Sequence, residues 1–173
     1  MLKNKLTHLF ETRNSAIWLV LIGLCLVMEA IALYYQYQLN EPPCVVCIHV
    51  RILVASLILL LGAGYLIRPF LFARVMVLMA LLVNSGILIE RSLELLGTER
   101  GLIIGSCSFN LGLPTWLALD QWFPFIFKVH TSCGYTPELL FGMTMAEGLL
   151  VVFSLATALF LWLVLTAVFK RNT

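Results

Sequence analysis

The sequence predicts an all-α membrane protein, a four-helix transmembrane bundle with two loops on one side and a short interfacial helix in the second loop. Three observations point there. Of 173 residues, 61% are hydrophobic and only 12% charged, whereas a soluble domain needs far more charge to keep its surface wet. Four apolar stretches approach the ~20 residues that cross a bilayer. The basic residues gather in segments that an even number of spans puts on one side. A net charge of +2 is too small to point to nucleic acid. No soluble domain, low-complexity tract or internal repeat stands out, so residues 1–173 read as one integral membrane domain.

The first span covers about residues 16–34 and is interrupted by Glu29. The second covers about 48–67 and carries His49 and Arg51 in its first turn. The third covers about 72–89, with Arg74 near its start, and the fourth about 143–169, with Glu147 early. Gly62, Gly64 and Pro69 mark a tight turn between the second and third. The remaining loops are about 35–47 and 90–142.

Lys3, Lys5, Arg13, Arg68, Arg74, Lys170 and Arg171 flank the two ends of the chain and the short turn. Glu41, Glu90, Glu94, Glu99, Asp120 and Glu138 lie in the opposite loops. The positive-inside rule then puts both termini in the cytoplasm and both loops outside it. A cleaved signal peptide is the rival, because Ala30-Ile31-Ala32 resembles a cleavage site. Its apolar run is too long, Glu29 sits just before the site, and removal would leave an odd number of spans.

Within the long loop, Leu113, Trp116, Leu117, Leu119, Trp122, Phe123, Phe125, Ile126 and Phe127 fill a stretch bounded by Pro114 and Pro124. It is too short and too proline-broken to span. A Trp-rich apolar face of this kind suits a short helix lying in the headgroup region; the alternative is a loop packed on top of the bundle.

Four of the five cysteines fall in the two outer loops: Cys44 and Cys47 in a Pro-Cys-Val-Val-Cys run, Cys107 and Cys133 in the long loop. Pro43 favours a helix start, which puts Cys44 and Cys47 in the opening turn. Exposed N–H groups and the positive end of the helix dipole stabilise a thiolate there, the attacking form in disulfide exchange. Arg51 falls on the same helix face, one turn past Cys47, where it can stabilise a thiolate, hydrogen-bond an electron-rich ligand oxygen, or snorkel to the interface.

A structural zinc site wants four clustered ligands, and the wide separation of Cys107 and Cys133 does not supply a second knuckle, so no metal is expected. Two structural disulfides are possible outside the cytoplasm. A Cys-x-x-Cys bridge closes too small a loop to add much stability, so structure alone explains the second pair better than the first. Cys25, amid Leu24, Leu26 and Val27, reads as an inert apolar residue. Glu29 is an intramembrane acid and hence a functional candidate, or a hydrated side chain near the outer end.

Taken together these residues resemble the DsbB family of bacterial disulfide bond formation proteins over nearly the whole chain. The motifs are Pro-Cys-Val-Val-Cys-Ile followed by Arg51, Glu29 in the first span, and Cys107 ahead of the stretch from Leu117 to Pro124. Phe127 then leads to Cys133, and Leu140-Phe141-Gly142-Met143 opens the last span.

The resemblance implies an inner-membrane thiol–disulfide oxidoreductase. It would re-oxidise a periplasmic DsbA-like thioredoxin-fold protein and pass the electrons to a quinone cofactor, ubiquinone or menaquinone; the direction of this relay comes from the family. It also implies redox disulfides Cys44–Cys47 and Cys107–Cys133, with Cys107 the partner-facing sulfur and a transient Cys44–Cys133 link. Cys47 and Arg51 would engage the quinone. Two departures stand out: Ser92 falls where the family often has His, and Gly148 where it usually has Trp.

Two other classes compete with this reading. A non-enzymatic four-span scaffold with stapled outer loops, like a small tetraspanin, lacks the Cys-Cys-Gly run and gives Cys44–Cys47 no task. A quinone reductase like the vitamin K epoxide reductases carries its quinone-side pair late in the chain, not at the second span.

Overall fold

The computed structural model describes residues 14–103, 111–114, 117–131 and 142–169. Its helices are α1 (Ser15–Gln38), α2 (Val45–Ile67), α3 (Leu71–Glu99), the single turns α4 (Leu119–Trp122) and α5 (Pro124–Phe127), and α6 (Met145–Phe169). Four of them, α1, α2, α3 and α6, are long and apolar enough to cross a membrane. No strand occurs among the described residues.

Each boundary has a local cause. Asn14 caps α1 by accepting from the Ala16 N–H at 3.1 Å. The helix runs past residue 34 to Gln38 and is then broken by Asn40, which adopts φ 54°, a conformation Asn tolerates, followed by Pro42 and Pro43. Cys44 is the N-cap of α2, its sulfur accepting from the Cys47 N–H at 3.3 Å, so the helix starts earlier than residue 48.

The turn between α2 and α3 falls at Arg68-Pro69 and closes with Phe70 N–H donating to the Ile67 carbonyl at 3.0 Å. Gly62 and Gly64 therefore lie inside α2 rather than in the turn. A Cβ on Gly64 would run into the indole of Trp18, so this glycine lets α1 approach α2, as small residues do between membrane helices.

α3 continues beyond residue 89 to Glu99, because Ser92, Leu95, Gly97 and Thr98 extend its buried face. It ends in a Schellman motif: Gly101 takes φ 67°, the Leu102 N–H donates to the Gly97 carbonyl at 2.9 Å, and the Gly101 N–H to the Thr98 carbonyl at 3.2 Å. α6 opens with a capping box. The Glu147 N–H donates to Thr144 Oγ1, and the Thr144 N–H to Glu147 Oε2, both at 3.4 Å.

Where one interfacial helix was expected, the chain forms two turns, α4 and α5, separated at Phe123; Pro124 has no N–H to continue the first.

α1 packs on α2, α2 on α3, and α3 most extensively on α6. Trp18, Leu57, Leu61, Leu78, Leu81, Phe153, Phe160 and Leu163 form the main apolar core. At the other end a smaller cluster joins Cys44, Val46, Leu95 and Ala146. There Arg100 also pairs with Glu147 at 2.7 Å, fastening the end of α3 to the start of α6. This arrangement leaves α1 and α6 flanking a gap over the first turns of α2.

Candidate active site

That gap is a cavity of about 270 Å³. α1 contributes Met28, Glu29, Ala32 and Tyr35, α2 contributes Cys47, Arg51 and Val54, and α6 contributes Gly148, Leu149 and Val152. Most of its wall is apolar, with a few polar groups converging. That is the usual make-up of a small-molecule site, and the volume lies near the low end for such pockets.

The two cysteines of the first loop have different surroundings. Their sulfurs are 2.9 Å apart. Cys44 is 1% exposed and forms an isolated parallel bridge with Thr131, next to a hydrogen bond from the His130 N–H to the Pro43 carbonyl at 3.0 Å. Cys47 is half-buried and lines the cavity. The N-cap position gives the Cys44 sulfur an opening N–H group of α2, that of Cys47, as a donor.

Arg51 is buried, at 6% exposure. Its Nη1 donates to Gln36 Oε1 and to the Ile126 carbonyl, the latter at 3.0 Å, and its Nη2 donates to the Ala32 carbonyl at 3.0 Å. These bonds hold the guanidinium against α1 and α5 rather than sending it to the lipid surface. A guanidinium has five N–H donors; the Nε–H and one Nη2–H have no partner among the described residues. The residue is thus fixed in place with donors to spare on a cavity wall.

Gln36, Tyr37 and Thr131 were not singled out in the sequence. Tyr37 Oη donates to the Phe125 carbonyl at 2.5 Å and Gln36 Nε2 to the same oxygen at 3.4 Å, so the end of α1 holds α5 in place above Arg51. The only signal was a polar, aromatic run, Tyr34 to Gln38, at the close of an apolar span. His49 ties the long loop down in a second place, its Nε2 lying 2.9 Å from the Leu111 carbonyl oxygen.

Cys107 and Cys133 lie outside the described residues. Cys25 packs at the edge of the main core. Ser92 is fully buried and donates to the Leu88 carbonyl at 2.8 Å; it does not line the cavity, whereas Gly148 does. Glu29 lines the cavity with a buried Oε1 that has no hydrogen-bond partner among the described residues. No cluster of metal-ligating side chains occurs among those residues.

The family described as "Disulfide bond formation protein DsbB" matches residues 14–163. Relatives called disulfide bond formation protein B match most of the chain. The protein from Haemophilus influenzae is 34% identical over 160 residues, covering 90% of this chain and 89% of its own. The one from Shewanella denitrificans is 34% identical over 157 residues, 88% and 89% of the two chains. The one from Shewanella loihica is 29% identical over 150 residues, 86% of each.

Proposed function

The chain belongs to the DsbB family of disulfide bond formation proteins, and we propose that it re-oxidises a periplasmic DsbA-type thiol oxidase and passes the electrons to a membrane quinone. Membership and the four spans make it a multi-pass membrane thiol–disulfide oxidoreductase. To that we add the donor, the acceptor, the role of each cysteine, and an orientation in the bacterial inner membrane with both termini cytoplasmic.

One observation carries the reading. Cys47 and Arg51 line one apolar cavity, while Cys44, outside it, is bridged to Thr131 of the long loop. Thr131 is two residues ahead of Cys133, which supports exchange between Cys44 and Cys133. The cavity fits a quinone head: its volume suits a ring, its wall suits the apolar substituents, and the two unpartnered N–H donors of Arg51 suit a carbonyl oxygen.

In this mechanism a thiolate of the reduced partner attacks Cys107 of the Cys107–Cys133 disulfide, and the partner leaves oxidised. Cys133 then attacks Cys44, breaking the Cys44–Cys47 bond and releasing Cys47 as a thiolate. Attack by Cys107 on the transient Cys44–Cys133 link restores the loop disulfide and leaves Cys44 and Cys47 reduced. Arg51 stabilises the Cys47 thiolate in the cavity and donates to the acceptor's oxygen. Bound quinone supplies the oxidising power, accepting two electrons and two protons as Cys44 and Cys47 rejoin.

The test is stoichiometric. Membranes containing the protein should oxidise a reduced DsbA-type protein with one quinone reduced per disulfide formed, and Cys44→Ser should abolish it. Undiminished turnover in that variant would overturn the relay.

A further inference from the structure

One ionisable group in the cavity has no task in the relay described above, and the inference drawn from it rests on that thiol–quinone reading. Glu29 lines the cavity from α1, and its Oε1 is buried with no hydrogen-bond partner among the described residues. Leaving a buried carboxyl oxygen unpaired is costly, so the position is poorly explained by structure alone. Arg51 acts on Glu29 as a nearby opposite charge but gives it no hydrogen bond, its N–H groups going to Gln36, Ile126 and Ala32. Arg51 docks on the Ala32 carbonyl, one turn from Glu29 on the same face of α1. Arg51 and Glu29 therefore present themselves to the cavity at successive levels of the helix.

The reaction needs a second polar group of a particular kind. Joining the Cys47 thiolate and the Cys44 thiol into one disulfide releases two electrons and one proton, whereas reducing a quinone to a hydroquinone takes up two protons, one on each ring oxygen. Arg51 can hold an oxygen but cannot surrender a proton. α6 contributes Met145, Gly148, Leu149 and Val152 to the wall, none of which carries an exchangeable acid. Tyr35 and Glu41 also line the cavity, but both lie toward the connector ahead of α2, away from the level of Glu29.

We propose that Glu29 is the proton carrier of the quinone step. Its carboxyl group gives its proton to a quinone oxygen as the disulfide forms, the Cys44 thiol supplying the other proton, and it is then re-protonated from water. Glu29 ends in the protonation state in which it began, and the electrons travel only through sulfur.

The experiment uses the full-length protein in lipid nanodiscs, fully reduced and mixed with a short-tailed benzoquinone in a stopped-flow instrument. Glu29→Gln, which keeps shape and removes the acid, is expected to slow quinone bleaching about a hundredfold or more, the usual worth of a general acid or base. Glu29→Asp should recover at least about a tenth of the wild-type rate, since a shortened acid can still carry a proton.

A redox-induced infrared difference spectrum should show a carboxylic acid carbonyl band in the wild type that Glu29→Gln lacks. Wild-type speed in Glu29→Gln, an Asp variant as slow as Gln, or identical infrared spectra would each overturn the assignment while leaving the relay standing. A wild-type protein that does not bleach the quinone at all would overturn the relay, and this inference with it.

Discussion

Gln36, on the last turn of α1, accepts a hydrogen bond from the guanidinium of Arg51 on α2. The helix without a relay cysteine thus positions the residue assigned to the quinone. Arg51→Ala should raise the quinone KM more than the KM for the thiol partner, by roughly tenfold to a hundredfold, as expected for a lost charged hydrogen bond. Gln36→Ala should move it the same way by less. Arg51→Lys should behave like Ala, because an ammonium cannot reproduce three bonds in a fixed fork. An unchanged quinone dependence in all three variants would leave Arg51 a structural residue.

The unequal exposure of Cys44 and Cys47 has a direct chemical readout. In the reduced protein a small maleimide should label Cys47 first, by about tenfold or more in rate, since thiolate reactions need access as well as charge. Added quinone should protect Cys47. Equal labelling, read by peptide mass spectrometry, would contradict the assignment of Cys47 alone to the cavity.

Gly148 contributes no side chain to the cavity it lines, so that space is open to a ligand. Gly148→Phe should raise the quinone KM by about tenfold or more, since a single surplus methylene in an apolar site already costs about tenfold and a benzyl group is larger. The KM for the thiol partner should move far less. A KM for quinone within about twofold of wild type would show that the ring sits elsewhere.

Gly64 lies directly against the indole of Trp18 where α1 meets α2. Gly64→Val should destabilise the bundle by about 1–3 kcal/mol, the common cost of overpacking, measured as unfolding in detergent. Pairing it with Trp18→Leu should return part of the loss, because the indole is the obstacle. Additive losses in the double variant would contradict that contact.

Much of this was legible in the sequence. Apolar runs announce membrane helices without help from tertiary structure, and Pro43 with Cys44 announces the start of α2 through local capping. The end of α3 was not legible: Glu90, Arg91 and Glu94 look like the start of a loop. In the fold, Arg91 pairs with Glu94 at 2.6 Å along the helix, while Ser92 and Leu95 keep the buried face going. Gly64 looked like turn punctuation because nothing in the chain nearby says that an indole from another helix will fill its missing side chain. The bonds of Arg51 to Gln36 and Ile126, and the pairing of Cys44 with Thr131, join segments far apart in sequence, so no local pattern could forecast them.

The Cys44–Thr131 bridge also changes how the exchange between loops should be regarded as a rate problem. Two residues of chain extend no farther than about 7 Å, so chain length alone limits how far position 133 can lie from Thr131 while the bridge holds. The effective concentration of one thiol at the other is then at least on the order of millimolar, and is set by a leash rather than by the whole outer loop. On the proposed relay, opening this backbone pairing at Cys44 itself would lower that concentration and slow the exchange.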